Sequence, residues 1–493
     1  LLFCNVRIST LNDYTTKISV SLSSKKYQVA KKIMKLPNGP QMPAFLQMLR
    51  WIINPMSFME ACAKRYGETF TIKLERNSPP LVIVSNPQAQ QQILTNDTKE
   101  LEAPGDLNDV FEFLLGKHSV ITISGAEHQR QRQLLMPPFH GERMRNYSQV
   151  ITDVTQKVIS QYQIGKPFNI RSATQAITMQ VIMQAVFGLH EGTRAEKLQR
   201  FLSEILEKAS SRLIVALLYF PALQRDFGPI NFWGKQMRRQ QKVDELIYEE
   251  IRERRQQLDS SRTDILSLLM AARDEAGQPM TDEELRDELM TLLVAGHETT
   301  ATALAWALYW IHKVPSVHQK LLQELDSLGD NPDPSTVFKL PYLNAVCSET
   351  LRIYPVAILT FPRIVRTPIL LGGYELEPGT SILGSIYLTH QREDIYPEPK
   401  QFKPERFLER QFSPYEYLPF GGGARRCIGL AFAQLEMKLA LAKILSSLEL
   451  ELVDNGEIQP KRRGLVTGPD RPIEMVVTSQ RRVKSPILQT STV

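Results

Sequence analysis

Long hydrophobic runs are missing from this sequence of 493 residues. No stretch approaches the ~20 uninterrupted apolar residues that span a bilayer, so no transmembrane segment is expected. Cysteine is scarce: Cys4, Cys62, Cys347 and Cys427 are far apart, with no CxxC spacing. That excludes a disulfide scaffold and a zinc ribbon, and it fits a reducing cytoplasm. Charge of one sign is in short supply too. The 59 Lys and Arg against 53 Asp and Glu leave a net +6, which does not suggest a nucleic-acid binder. No Gly/Ser linker or internal repeat divides the chain. Gly421–Gly423 lacks the strand-then-helix context of a dinucleotide site, so no flavin or nicotinamide fingerprint is present.

What is present is ordinary globular composition, 42% apolar and 23% charged, enough for a large core. Residues 1–33 read as a polar extension, disordered or not native, with an organelle transit peptide as the alternative. Folded sequence is expected from Leu36-Pro-Asn-Gly-Pro, with a helix near Pro55–Tyr66. Glu68–Leu74 alternates at period two and faces Leu81–Ser85 as a β-hairpin. Beyond Pro87 the pattern turns predominantly helical. It includes a charged helix over 234–258 carrying Val243, Leu246, Ile247 and Ile251 on one side. Short strands return near Ile369–Leu376 and Leu448–Val453, and residues 478–493 read as a flexible tail. The fold class is mainly α with a minor β region, in one large domain over 34–477.

The densest information lies in Phe420-Gly-Gly-Gly-Ala-Arg-Arg-Cys-Ile-Gly429. Three glycines permit unusual backbone angles and the close approach of a flat ligand. Cys427 then precedes an apolar helix carrying Leu430, Phe432, Ala433, Met437 and Leu439. Free N–H groups at its N-terminus, with Arg425 and Arg426, favour a thiolate of low pKa. Such an electron-donating sulfur is what an axial ligand to haem iron requires. Taken alone, Cys427 also reads as a buried structural cysteine after a glycine turn.

A second constellation sits in a long helix over 281–312, opened by the capping-box pattern Thr281-Asp-Glu-Glu. Leu285, Leu289, Leu292, Leu293 and Leu304 mark it as buried. Into it runs Ala295-Gly-His-Glu-Thr-Thr300. Mid-helix glycine costs about 1 kcal/mol against alanine, and a buried glutamate costs more unless paired. The functional reading gives Ala295 and Gly296 room for a flat cofactor and a diatomic ligand. Glu298 and Thr299 then relay protons towards dioxygen. The bland alternative is a polar solvent stripe. His297 reads as a packing or hydrogen-bonding residue rather than a metal ligand.

The cysteine loop matches every fixed position of Phe-x-x-Gly-x-Arg-x-Cys-x-Gly, and thereby resembles the haem-binding loop of the cytochrome P-450 family. Ala295–Thr300 is similar to that family's acid–alcohol segment, and family blocks run in order from Leu36 to about Val477. The resemblance implies haem b (iron protoporphyrin IX) with Cys427 as iron ligand, Phe420 packed near the sulfur, and Gly423 and Gly429 shaping the loop. It implies propionate contacts from Arg425, His128, Arg132 and Arg363, although the family commonly has Trp where His128 stands. Glu349, Arg352 and Arg406 form its structural network. Walls of a substrate pocket are implied near Asp106–Val120 and Leu206–Leu223, and at Leu292, Ala295, Gly296, Val356, Leu359, Leu465 and Val466.

The function so implied is dioxygen activation by a haem-thiolate monooxygenase acting on a lipophilic substrate. Likeness to soluble cyanobacterial members points to a fatty acid or terpenoid. A ferredoxin or flavoprotein reductase would supply electrons, docking on a basic face at Arg130, Arg425, Arg426 and Lys438. A cytoplasmic monomer is expected. Leu213–Phe220 reads as a buried pocket lid, or as a point of peripheral membrane contact. The rival functions are a haem-thiolate peroxygenase or isomerase, and a non-catalytic haem or lipid carrier.

Overall fold

The computed structural model describes residues 36–481 apart from 76–78, 98, 142, 190–191, 210–231, 258–261, 330–331 and 464–465. Leu465, the Leu213–Phe220 segment and residues 1–33 therefore lie outside the described residues. The helices that frame the site are α1 (Ala44–Ile53), α2 (Gly125–Leu135), α3 (Ile170–Phe187), α4 (Phe232–Gln256), α5 (Asp282–Lys313), α6 (Pro341–Ile353) and α7 (Leu430–Ser447). The strands are short: β1 (Thr69–Ile72), β2 (Leu81–Val84), β3 (Leu101–Glu102), β4 (Pro167–Asn169), β5 (Arg363–Val365), β6 (Ile369–Leu371), β7 (Tyr374–Leu376), β8 (Ser381–Gly384), β9 (Leu448–Leu452), β10 (Pro460–Arg463), β11 (Val466–Pro469) and β12 (Glu474–Gln480). The expected hairpin is β1–β2, antiparallel, within a five-stranded sheet of order β1-β2-β8-β5-β3. The charged helix forms as α4, with Val243, Ile247 and Ile251 fully buried. β12 continues to Gln480, beyond the expected boundary at 477, and Arg481 pairs with Glu449 and Asp326.

The central element is α5, and its start follows from local chemistry. The Thr281 side chain accepts the Glu284 amide at 3.1 Å, while Glu284 accepts the Thr281 amide at 2.8 Å. From Glu284 to Tyr309 every residue is buried except Leu292, Ala295, Gly296 and Thr299. Those four recur at i, i+3, i+4 and i+7, the spacing of one helix face. A helix surrounded by protein thus leaves a single stripe uncovered, at the segment that the sequence singled out.

Burying the polar N-terminal half of α5 requires partners. Asp287 accepts the His118 amide at 2.9 Å, Glu288 accepts the Val120 amide at 2.8 Å, and Thr291 meets Ser119 at 2.7 Å. Arg286 binds Asp244 and Asp287. These bonds fasten the 116–122 loop across α5 and hold it beside the uncovered stripe.

Candidate active site

The cysteine loop is shaped by two left-handed glycines, Gly421 at φ 65° and Gly423 at φ 66°. The Cys427 amide donates to the Phe420 carbonyl at 3.1 Å, which closes the turn. A Cβ at Gly423 would stand 2.1 Å from Asp97 Oδ2, and one at Gly422 would stand 2.7 Å from the Leu94 side chain. The close approach that these glycines permit is therefore to Leu94 and Asp97, not only to a flat ligand. Gly296 is corrected in the same way. Its missing Cβ admits Ile182 of α3, whose Cδ1 would lie 3.0 Å away. Ala295 is the exposed position of the pair.

Cys427 is accessible to a solvent probe although protein encloses it on nearly every side, so its sulfur faces an internal space. Its thiol pKa is raised, because desolvation outweighs the Gly429 amide and the charges of Arg132 and Arg426. The expected low pKa is thus not a property of the apoprotein. A metal bound there would supply the positive charge that strips a coordinating thiol of its proton. Among the described residues, no three His, Cys, Asp or Glu side chains gather into a metal site of their own. A metal at Cys427 must bring other ligands with it.

Beside this space sits an excess of positive charge. His128 has its pKa pushed down to about 3 by burial and then by Arg425, Arg132 and Arg363. Arg425 is lowered to about 10 by burial, then by Arg363 and Arg132. Asp97 binds Arg363 Nη2 at 2.9 Å and the Ala424 amide at 2.7 Å. Asp97 escaped sequence reasoning, since nothing local distinguishes it. Arg363 Nε is buried without an acceptor. Two carboxylates, Asp97 and Asp106, against the three guanidinium groups of Arg132, Arg363 and Arg425, with an orphaned donor, leave positive charge that fits a ligand bearing carboxylates. Arg425 departs from its expected part. Its guanidinium donates to the carbonyls of Ala103 (2.7 Å), Val120 (2.6 Å) and Ile123 (2.7 Å). It clasps the 103–123 loop, and an anion would meet its charge more than a free N–H.

The expected acid–alcohol pair is split by helix geometry. Consecutive residues point about 100° apart. Thr299 lies on the uncovered stripe, and its hydroxyl donates to the Ala295 carbonyl at 2.5 Å. Glu298 turns into the protein, where Arg171 pairs with one oxygen and Gln175 donates to the other at 3.0 Å. The carboxylate does not back the hydroxyl directly, so a proton passing between them needs a water or a side-chain movement. Arg171 and Gln175 were missed by sequence reasoning, although each lies on the apolar helix packed closest to α5. His297 is buried, with Nδ1 2.8 Å from Thr178 Oγ1, as a hydrogen-bonding residue should be.

Glu349, Arg352 and Arg406 meet as expected. Arg352 grips Glu349 through Nε (2.6 Å) and Nη2 (2.8 Å), and Arg406 Nε reaches Glu349 at 3.2 Å. Among the pocket residues, Val356 and Val466 come together because the Thr467 amide donates to the Val356 carbonyl at 3.0 Å. Leu359 bridges to Ser385. The expected docking face does not form. Arg425 and Lys438 are buried, the latter donating to the Phe338 carbonyl. Arg130 is paired with Asp274 and Glu284, which leaves Arg426 exposed by itself.

A lone cysteine facing an enclosed space, an uncovered stripe on a central helix and a basic cluster with too few acids are features that a thiolate-ligated haem site requires. The sequence comparisons agree. The cytochrome P450 family model matches residues 37–476, and the chain belongs to that family. Putative cytochrome P450 135A1 of Mycobacterium tuberculosis is 34% identical over 451 residues, covering 91% of this chain and 96% of that protein. Putative cytochrome P450 135B1 of the same species is 33% identical over 453 residues, covering 92% and 93%. Two solved structures share the fold. Retinoic acid-bound cyanobacterial CYP120A1 has a TM-score of 0.77 at 24% identity, covering 90% of this chain and 100% of that one. The cytochrome P450DA heme domain has a TM-score of 0.78 at 23% identity, covering 91% and 98%. The protein is therefore an oxidoreductase of the haem monooxygenase class, which uses dioxygen.

Proposed function

We propose that the protein inserts one oxygen atom of dioxygen into a lipophilic substrate, a fatty acid or terpenoid, by hydroxylation or epoxidation. The observation that carries this reading is the uncovered stripe of α5, with apolar Leu292 and Ala295 beside the hydroxyl of Thr299. Val356, Leu359 and Val466 add apolar wall, and such surface gains affinity by desolvating an apolar ligand. Haem b, when bound, supplies the redox chemistry. Cys427 would hold its iron, and His128, Arg132 and Arg363, with the charge of Arg425, would hold its two carboxylates. Phe420 would shield the sulfur. Electrons come from a ferredoxin or flavoprotein reductase, since residues 1–493 themselves carry no flavin or nicotinamide fingerprint.

The residues' own work is proton handling and positioning. Glu298, held by Arg171 and Gln175, serves as the proton reservoir. Thr299, by releasing the Ala295 carbonyl, donates its hydroxyl proton into the site and is recharged from the Glu298 side. The network of Glu349, Arg352 and Arg406 keeps the scaffold rigid beneath the cysteine loop.

The test is Thr299→Ala in the haem-loaded enzyme, with reductant, redox partner and a panel of fatty acids and terpenes. Haem content stays unchanged while oxygen consumption diverts to hydrogen peroxide and product falls by about 10²-fold. Unchanged coupling of oxygen use to product would remove Thr299 from the proton path. Turnover driven only by added peroxide would favour a peroxygenase, and no product under any condition would favour a carrier.

A further inference from the structure

Helix geometry alone does not end the uncovered stripe of α5 at Leu292. Glu288 stands one turn earlier on the same face, at i−4 from Leu292 and i−7 from Ala295. It is nevertheless fully buried. The 116–122 loop covers it: Glu288 accepts the Val120 amide at 2.8 Å, and Ser119 Oγ lies 2.7 Å from Thr291 Oγ1. The loop is held from its other side by the cysteine loop, since the Val120 carbonyl accepts Arg425 Nη1 at 2.6 Å. Val120 thus ties the central helix to the segment that carries Cys427. Where this loop lies down, the stripe stops.

Two neighbouring acids make this closure, and their surroundings differ. Asp287 is a compensated anion: Arg286 Nη1 lies 2.7 Å from one oxygen, and the His118 amide donates to the other at 2.9 Å. Gly116 packs so tightly against it that a Cβ there would stand 2.0 Å from Oδ1. Glu288 has the Val120 amide on one oxygen, while Oε2 is buried without a partner. A carboxylate so placed lacks the compensation that a buried charge requires, and the neutral acid costs far less. Burial accordingly raises its pKa well above the ordinary 4.5; the Val120 amide offsets part of this, and the like charges of Asp287 and Glu284 add to it. The other charged groups around the contact are already engaged. Arg286 and Asp244 pair behind Asp287, Arg130 holds Glu284, His118 meets Glu127 on the loop's outer side, and Arg425 lies beyond Val120.

We propose that Glu288 is a positioning residue for the monooxygenase reaction: as an uncharged carboxyl it holds the 116–122 loop on α5 and so sets where the apolar site ends, and its ionisation lifts that loop. With the loop down, Leu292 is the last side chain of the stripe. With the loop raised, the stripe lengthens by one turn, about 5.4 Å, and ends in an anion that a lipophilic molecule avoids. Opening exposes Glu288 to water, where it titrates at the ordinary 4.5, whereas the closed loop keeps the proton. Above that pH, opening releases one proton. Each further pH unit then favours the open loop by up to about tenfold, until the buried acid itself ionises. This role rests on the proposed reading of the stripe as a substrate wall, but not on which lipophilic molecule is oxidised.

The experiment is hydrogen–deuterium exchange of the full-length, haem-loaded chain from about pH 6 to about pH 8, read by mass spectrometry on peptides covering residues 112–124. The parent is compared with Glu288→Gln at each pH, which cancels the intrinsic pH dependence of exchange. Glutamine offers Val120 the same acceptor, puts N–H₂ in place of the carboxyl O–H, and cannot ionise. Exchange in the parent should accelerate about tenfold or more over the variant across this window. Glu288→Ala should exchange fast at every pH, and His118→Asn should keep the parent's pH dependence. In parallel, the dissociation constant of 1-phenylimidazole, followed by the haem spectrum, should rise about tenfold in the parent and stay level in Glu288→Gln. A parent-to-glutamine ratio that is constant with pH would overturn the assignment, as would its loss in His118→Asn. Loop opening that leaves azole affinity unchanged would deny Glu288 any part in the site. Absence of oxygenated fatty acid or terpene, with both pH dependences present, would refute the proposed substrates and leave this role of Glu288 standing.

Discussion

Replacing Glu349 by Gln attacks the most completely buried ion pair in the described structure. Both Glu349 and Arg352 are fully inaccessible. The carboxylate receives Arg352 twice, at 2.6 and 2.8 Å, the Lys403 amide at 2.9 Å and Arg406 at 3.2 Å. Glutamine keeps the volume and one acceptor, but it sets an N–H₂ group against guanidinium donors and leaves two buried cations short of their anion. Removing one partner of such a pair costs about 3–5 kcal/mol, a large share of the ~5–15 kcal/mol that holds a domain folded. With a denaturant slope of about 4 kcal/mol/M for a chain of this size, the urea midpoint should fall by roughly 1 M. Far-UV circular dichroism of haem-loaded and haem-free samples measures it, with haem retention after dialysis as a second readout. Lys403→Ala is the control. Its side chain pairs with Glu398 at the surface while its backbone amide still reaches Glu349, so the midpoint should not move. A Glu349→Gln midpoint indistinguishable from the control would refute the reasoning.

Other consequences follow from the same geometry. Arg171→Gln should leave haem binding intact but slow turnover about tenfold and enlarge the solvent deuterium isotope effect; an unaltered isotope effect would mean that Arg171 does not govern Glu298. Cys427→Ser should abolish the thiolate-type carbon monoxide spectrum, and survival of that spectrum would show that another residue ligates the iron. Gly423→Ala places a Cβ 2.1 Å from Asp97 Oδ2 at a left-handed φ, so haem content should drop sharply, and an unchanged haem content would show that the loop tolerates the side chain. Burial lowers the pKa of His297 and His312 to about 4, against an ordinary 6.5. An unfolded chain binds those protons first, so stability should fall as pH drops from 6.5 towards 4. His297→Gln should flatten that slope by about one proton, and a midpoint flat across this window in the parent would contradict the assignment.

Local rules carry far in this chain. The capping box at Thr281, the β1–β2 alternation and the charged helix α4 are short-range patterns, and short-range physics is written directly in neighbouring residues. The cysteine loop and the Ala295–Thr300 segment were equally legible, because the chemistry demands particular side chains at fixed offsets. Pairings across long separations were not legible. Asp97 meets Arg363 across 266 positions, and Arg171 meets Glu298 across 127; nothing near either residue signals its partner. Tertiary packing also reassigned residues that the sequence had identified. Arg425 clasps a loop, Gly296 admits Ile182, and Arg130 and Lys438 are spent on internal contacts instead of a docking face. The thiol of Cys427 sits in a desolvated site, where burial outweighs its helix terminus. Which residues can do this chemistry was decided by type and spacing, along the chain. What each one faces was decided by the fold, because desolvation and hydrogen bonding depend on neighbours in space.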